Sequence, residues 1–271
     1  MVEAYFRPET LEEALALLGR EKDARLLAGG SYLLSPHFRT MAMSAIAISS
    51  LLPHSIERTA GKVIIGAGLC FQDLADSGLV PEALKRAALG MANRNVRNRA
   101  TVGGNIGADR SCSSLLPFFY AADAVYHVAR VGAVRSGTDP VPAERWRDKP
   151  SGIITAVEFA LPQGRGFAYG KYSRTSCDLA LIGCTVRADL QAGRLDNLRI
   201  ALGGLAPHVQ RFPGLEASLE GKTFPPRAEL EEMAMAFFAP IDDMRGSAAF
   251  KRRRAAVLIA DLIGALKEQR P

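Results

Sequence analysis

Twice in this chain an apolar stretch runs into a double glycine beside a small polar residue. The first is Arg25-Leu26-Leu27-Ala28-Gly29-Gly30-Ser31; the second is Arg97-Asn98-Arg99-Ala100-Thr101-Val102-Gly103-Gly104-Asn105. Adjacent glycines admit positive φ and put no Cβ in the path of an approaching ligand. Successive free N–H groups in such a turn form a concave anion site. Either pair alone reads as an ordinary surface turn. Two of them, each with a hydroxyl and a nearby arginine, read as two jaws on one pyrophosphate. In this reading residues 28–34 wrap one side, with Ser31 donating its hydroxyl. Thr101, Gly103, Gly104 and Asn105 hold the other, the Asn105 amide being able both to donate and to accept. Arg25, Arg97 and Arg99 supply positive potential for two phosphate charges.

Competing chemistries lack their motifs. Gly66-Ala67-Gly68 follows an apolar strand, but Phe71 stands where a dinucleotide fingerprint needs its third glycine. There is no Walker A lysine motif and no G-x-S-x-G elbow, and His37, His54, His127 and His208 show no common partner. Cys70, Cys112, Cys177 and Cys184 form no C-x-x-C pair, so neither an iron–sulfur cluster nor a metal site is expected. The net charge of +6 is scattered apart from Lys251-Arg252-Arg253-Arg254, and no aromatic ladder accompanies it, which argues against nucleic acid. No apolar run reaches the roughly 18 residues of a membrane span. The N-terminus has no basic segment leading into a hydrophobic core, so the chain is expected in the cytoplasm.

Strands and helices alternate through the first part. Helices are expected from Thr10, with Glu13 completing a capping box, and at 71–77, 81–92 and 115–121. Strands are expected at 24–28, 45–48, 62–67, 124–129 and 153–161, with 132–150 a loop. Pro162 to Gly166 reads as a linker. Beyond it come three strands (167–172, 179–189, 198–202) and then three helices (214–219, 227–238, 247–267). The fold class is α+β: a two-lobed α/β domain over 1–162, then a small domain over 167–271 with a three-stranded sheet and helices.

Asn-Arg-Ala-Thr-Val-Gly-Gly-Asn-Ile (98–106) resembles the flavin signature of the FAD-binding medium subunits of molybdenum hydroxylases, the family of xanthine and carbon monoxide dehydrogenases. The first glycine segment resembles the other flavin loop of that family. Ala201-Leu202-Gly203-Gly204-Leu205-Ala206-Pro207 and Asp243-Met244-Arg245-Gly246-Ser247-Ala248 resemble its C-terminal domain. The resemblance covers almost the whole chain, and it implies a PCMH-like FAD-binding domain. It places FAD contacts at Arg25, Leu26, Leu27, Ala28, Gly29, Gly30, Ser31, Tyr32 and Leu33. Others fall at Met91, Ala92, Val96, Ala100, Thr101, Gly103, Gly104, Asn105, Ser113 and Ser114. Ile153 and Ile154 form an apolar wall, and Lys171 stands near the flavin ring. Many relatives have an Asp for the ribose where this chain has Ser114. No side chain is assigned an acid–base role. The implied partners are a molybdopterin-binding large subunit and a 2Fe-2S small subunit, with an acceptor such as NAD. Two other readings stay open: a non-catalytic assembly or scaffold subunit with weak or lost FAD binding, and a free-standing flavoenzyme.

Overall fold

The computed structural model describes residues 2–36, 40–131, 138–148, 151–162, 166–191 and 193–268. Its N-terminal part begins β1 (Val2–Phe6), α1 (Leu11–Arg20), β2 (Ala24–Leu27), β3 (Met43–Ala47), β4 (Ile56–Arg58) and β5 (Lys62–Gly66). Four helices follow, α2 (Phe71–Asp76), α3 (Glu82–Leu89), α4 (Arg94–Arg97) and α5 (Val102–Ala108), then α6 (Leu116–Ala121). The strands β6 (Val125–Ala129), β7 (Asp139–Pro142) and β8 (Ile153–Ala160) complete it. The C-terminal part holds β9 (Gly166–Tyr172), β10 (Ile182–Gln191), β11 (Arg194–Gly203), β12 (Gln210–Arg211), α7 (Pro213–Leu219), α8 (Arg227–Ala236) and α9 (Ala248–Glu268).

Three sheets result among the described residues. β1, β3 and β2 are parallel, in that order, with Phe6 opposite Ile46 and Leu27 opposite Ala47. A five-stranded antiparallel sheet has the order β4-β5-β8-β6-β7, and the C-terminal sheet the order β12-β11-β10-β9. The expected cap of α1 is present, since the Glu13 N–H donates to Thr10 Oγ1 at 3.2 Å. The Glu13 carboxylate reaches back to the Glu9 N–H (2.8 Å), one residue upstream of the cap. Ala14 and Leu15 then face the core.

Alternation along β9 joins the two parts. Phe167 and Tyr169 belong to the N-terminal core, whereas Ala168 belongs to the C-terminal core under α7, α8 and α9. Phe118 of the wholly buried α6 meets the tilted ring of Phe167 at 4.6 Å and Phe159 edge-on at 5.3 Å between ring centres. Burying each such ring contributes roughly 1.5–3 kcal/mol, so the parts share an apolar seam. A polar clamp reinforces it at Asp123, which sits at φ +48 and accepts from Arg199 (3.0 Å) and Arg211 (2.9 Å).

The structure departs from the sequence expectations in five places. β1 and β4 are additional strands, each stabilised by pairing along an existing edge rather than by an apolar period of its own. The short helix α4 sits where no apolar face advertises it, capped by the Asn93 side chain. Within the expected loop 132–150, β7 pairs with β6 and a 3-10 turn covers Ala143–Asp148; residues 132–137 and 149–150 lie outside the described residues. So do 163–165 of the expected linker. The C-terminal sheet has four strands rather than three, because β12 is two residues long and shows no period. Finally, the second glycine pair begins a helix instead of forming a turn.

Candidate functional site

The first glycine loop leaves the carboxyl end of parallel strand β2, the end at which open α/β sheets receive ligands. Gly30 adopts φ +72, the left-handed conformation the sequence calls for. Gly29 serves a different purpose, because a Cβ there would fall on the carbonyl of Arg99. The two glycine segments therefore meet at this point, and Arg99 Nε donates to the Gly29 carbonyl at 3.3 Å. Further along the loop, Arg110 donates to the Tyr32 hydroxyl at 2.7 Å. The loop is thus pinned at one side by Arg99 of the second segment and at the other by Arg110, beyond the end of α5.

Between the segments lies a cleft of about 310 Å³, lined by Gly29, Gly30, Ser31, Leu34, Asn93, Asn95, Val96 and Arg99. That volume is at the low end for ligand sites, with room for a diphosphate and part of what flanks it. Among the described residues, the N–H groups of Gly29, Gly30 and Ser31 meet no acceptor, and the terminal Arg99 nitrogens make no hydrogen bond or ion pair. No carboxylate lines the cleft. Unpaired amides, a guanidinium and no opposing negative charge suit an anion, and the residues fit the diphosphate of a dinucleotide.

The second glycine pair is arranged differently. Thr101 caps α5 in extended backbone, and its Oγ1 accepts from the Gly104 N–H at 3.1 Å. The Gly103 N–H donates to Ala67 O at 2.8 Å and the Asn105 N–H to Thr101 O at 3.0 Å. These amides are consumed inside the fold and offer nothing to an anion. Gly103 is required for packing, since a Cβ would come within 2.9 Å of the Ala67 Cβ. Asn105 Oδ1 accepts from Ser113 Oγ at 2.5 Å and Leu115 N at 3.3 Å, fixing the segment that follows α5. Of the expected second jaw, this pair is therefore framework.

The remaining expected residues divide in the same way. Val96 faces the cleft, while Ala100 is buried with its carbonyl taken by the Phe71 N–H. Leu26 and Ala28 pack on the core, Leu27 is in the β2–β3 ladder, and Leu33 is half-buried. Arg25 folds back onto the Ala24 carbonyl (3.1 Å). Arg97 does not face a phosphate: it donates to Gln72 and to the carbonyls of Leu89, Met91 and Ala92. That brace holds Ala92 at φ +45. Ser113 and Ser114 are buried, as are Ile153 and Ile154 in β8. Lys171 Nζ donates to three carbonyls, Gly90 (2.6 Å), Ser176 (2.8 Å) and Asp178 (3.0 Å). Burial lowers the pKa of this ammonium, and the nearby Cys177 and Asp178 oppose the shift. It is neither an exposed strand lysine nor a free charge, but a tether between the C-terminal sheet and the 90–92 segment. Asn93, Asn95 and Arg110 were missed by sequence reasoning. The Asn93 cap before Arg94 was the available signal, whereas nothing local marked Arg110.

Fold and cleft together define an FAD-binding flavoprotein subunit of an oxidoreductase. The family model described as the FAD binding domain in molybdopterin dehydrogenase matches residues 1–159, and that of the CO dehydrogenase flavoprotein C-terminal domain matches 167–266. The chain belongs to this family of FAD-binding subunits of molybdenum hydroxylase-type enzymes. It is 34% identical to the uncharacterised protein YgfM of Escherichia coli (strain K12), over 97% of this chain and 95% of that one. It is 31% identical to the carbon monoxide dehydrogenase medium chain of Hydrogenophaga pseudoflava, over 96% of each chain. A solved structure of carbon monoxide dehydrogenase from that organism superposes with a TM-score of 0.89 at 30% identity, covering 99% of this chain and 98% of that one. Among the described residues, no helix is long and apolar enough to cross a membrane, and no group of His, Cys, Asp and Glu is placed to hold a metal.

Proposed function

We propose that this chain is the electron-relay subunit of an assembled dehydrogenase. It receives electrons from a molybdopterin-binding large subunit by way of a 2Fe-2S small subunit, and delivers them to an acceptor of the NAD class. Residues 1–162 form the FAD-binding domain and 167–271 the C-terminal domain. Bound FAD supplies the redox chemistry; the protein binds, orients and electrostatically tunes it. The supporting observation is a cleft lined by Gly29, Gly30, Ser31 and Arg99 and by no carboxylate, in which the three loop amides meet no acceptor among the described residues. In this reading those groups hold the diphosphate. Asn93 and Asn95 hydrogen-bond its flanks, and Leu34 and Val96 supply an apolar wall. Thr101, Gly103, Gly104, Asn105 and Ser113 hold the second segment in place, and Ser114 takes the ribose side.

The test is a ligand comparison. A ligand that binds only the folded state raises the unfolding midpoint by mass action. FAD is expected to raise it more than FMN at matched concentration, and the purified chain is expected to retain flavin absorbance. Greater stabilisation by FMN would contradict a diphosphate cradle. Vigorous turnover of a small substrate by the isolated chain would contradict the relay role.

A further inference from the structure

The two C-terminal segments that stand out in the sequence, 201–207 and 243–248, do not line the cleft. They converge instead on residues 109–111, at the end of α5. Gly203 has no room for a Cβ, which would fall on the Ser111 carbonyl. Arg245 donates to Ser111 Oγ at 3.4 Å. His208, just past the first segment, places Nδ1 3.0 Å from Asp109 Oδ2. From the N-terminal part, Arg147 grips the same carboxylate twice, Nε to Oδ2 at 2.7 Å and Nη2 to Oδ1 at 2.6 Å. A bidentate guanidinium–carboxylate pair fixes direction as well as distance. Asp109 itself ends α5 at φ +40, a left-handed conformation that Asp and Asn adopt more readily than most residues with a side chain.

This anchorage determines where the next residue reaches. Arg110 is exposed, and its Nη1 donates to the Tyr32 hydroxyl at 2.7 Å. Tyr32 belongs to a compact turn, in which the Leu34 N–H donates to Gly30 O and the Ser35 N–H to Tyr32 O, both at 3.0 Å. Gly30, Ser31 and Leu34 of that turn line the cleft, whereas Tyr32 and Arg110 do not. The Arg99 contact fixes the loop where it leaves β2, at Gly29, and the Arg110 bond fixes its far side from outside the cleft.

We infer that Asp109 and Arg110 form a strut through which the C-terminal part holds the first glycine loop ready for FAD. Arg110 and His208 are positioning residues for the cofactor, although neither lines its cleft. A loop already held in place loses little freedom when its ligand arrives, so more of the contact energy appears as affinity. The affinity of the cleft therefore depends on a domain that contributes none of its lining residues. The inference rests on the FAD-binding reading proposed above and extends it to the residues that set the loop.

The experiment titrates the full chain with FAD and follows fluorescence quenching. Tyr32→Phe, Arg110→Ala and His208→Ala are each expected to weaken binding by about three- to tenfold, the worth of one hydrogen bond. Asp109→Asn keeps the left-handed backbone, removes the charge, and should act in the same direction. His208→Ala combined with Tyr32→Phe should bind no more weakly than Tyr32→Phe alone, because the strut ends at that hydroxyl; independent contacts would multiply. Arg110→Lys should recover part of the affinity lost in Arg110→Ala. The FAD-free Tyr32→Phe and Arg110→Ala proteins should unfold at the wild-type midpoint. Hydrogen exchange of the FAD-free chain supplies a second measurement: amides 29–35 should exchange faster in His208→Ala and in Asp109→Asn than in the wild type. Multiplying effects of His208 and Tyr32, unchanged affinity in Tyr32→Phe, or unchanged exchange at 29–35 would overturn the strut. A wild-type chain that does not bind FAD would overturn the functional reading instead, and the exchange comparison would still decide whether the strut holds the loop.

Discussion

Gly29 and Arg99 touch backbone to backbone, with no space between them for even one methyl group. Through this contact two segments separated by some 70 residues of chain become one cleft wall. Arg99 holds the contact with its Nε and lines the same cleft as Gly29, Gly30 and Ser31, whose amides meet no acceptor among the described residues.

Gly29→Ala is therefore expected to separate the segments. The displaced backbone should cost about 1–3 kcal/mol, as overpacking in a tight site generally does. FAD affinity should fall at least tenfold, roughly 1.4 kcal/mol. Fluorescence titration with FAD, together with thermal unfolding of the FAD-free protein, measures the two effects separately. Wild-type affinity in the variant would show that the contact does not shape the cleft.

Gly103→Val should destabilise the protein even without flavin, again by about 1–3 kcal/mol, because the new side chain collides with Ala67. Thr101→Val should lose about 1 kcal/mol through the lost cap on α5. Denaturant unfolding of the FAD-free proteins checks both. Full stability combined with lost FAD binding would return these residues to direct ligand contact.

Lys171→Met leaves three carbonyls without their donor. A loss of about 1–3 kcal/mol is expected in the FAD-free protein, with faster proteolysis near residues 173–179. A variant that unfolds at the wild-type midpoint without FAD, but binds FAD poorly, would place the lysine on the flavin instead.

Asp243 gives a pH test. Burial alone would raise its carboxyl pKa, but the hydrogen bonds from Lys251 and the Arg245 N–H outweigh burial and hold it below the ordinary value. A carboxyl with a depressed folded-state pKa stabilises the fold above its unfolded value and loses that contribution as pH falls through the folded one. The stability gap between wild type and Asp243→Asn should be full above about pH 5, and should close below about pH 4 as the wild-type carboxylate protonates. Urea unfolding across pH 2.5–7, bracketing the ordinary carboxylate value of about 3.9, reads it. A gap independent of pH would mean that the Lys251–Asp243 ion pair does not support the turn closed between Asp243 and Gly246.

Local chemistry alone determined a good part of this protein. Thr10 and Glu13 start a helix because a hydroxyl and a carboxylate three residues apart satisfy N–H groups that any helix leaves open. Gly30 takes its left-handed turn because glycine has no Cβ to oppose it. The longer strands and helices followed from apolar periods, whereas β1, β4, β7, β12 and α4 did not, and the collinear motifs identified the family. Only the tertiary structure distinguished the two glycine pairs. Gly103 and Gly104 are helical because Ala67 packs against one and Thr101 caps the other, whereas Gly29 and Gly30 line a cleft with amides that meet no acceptor among the described residues. The same holds for Arg97 and Arg99, two residues apart and alike in sequence. One is surrounded by the carbonyls of Leu89, Met91 and Ala92; the other faces a cleft. Whether an amide or a guanidinium is free for a ligand depends on which distant backbone the fold brings beside it, and no local pattern encodes that.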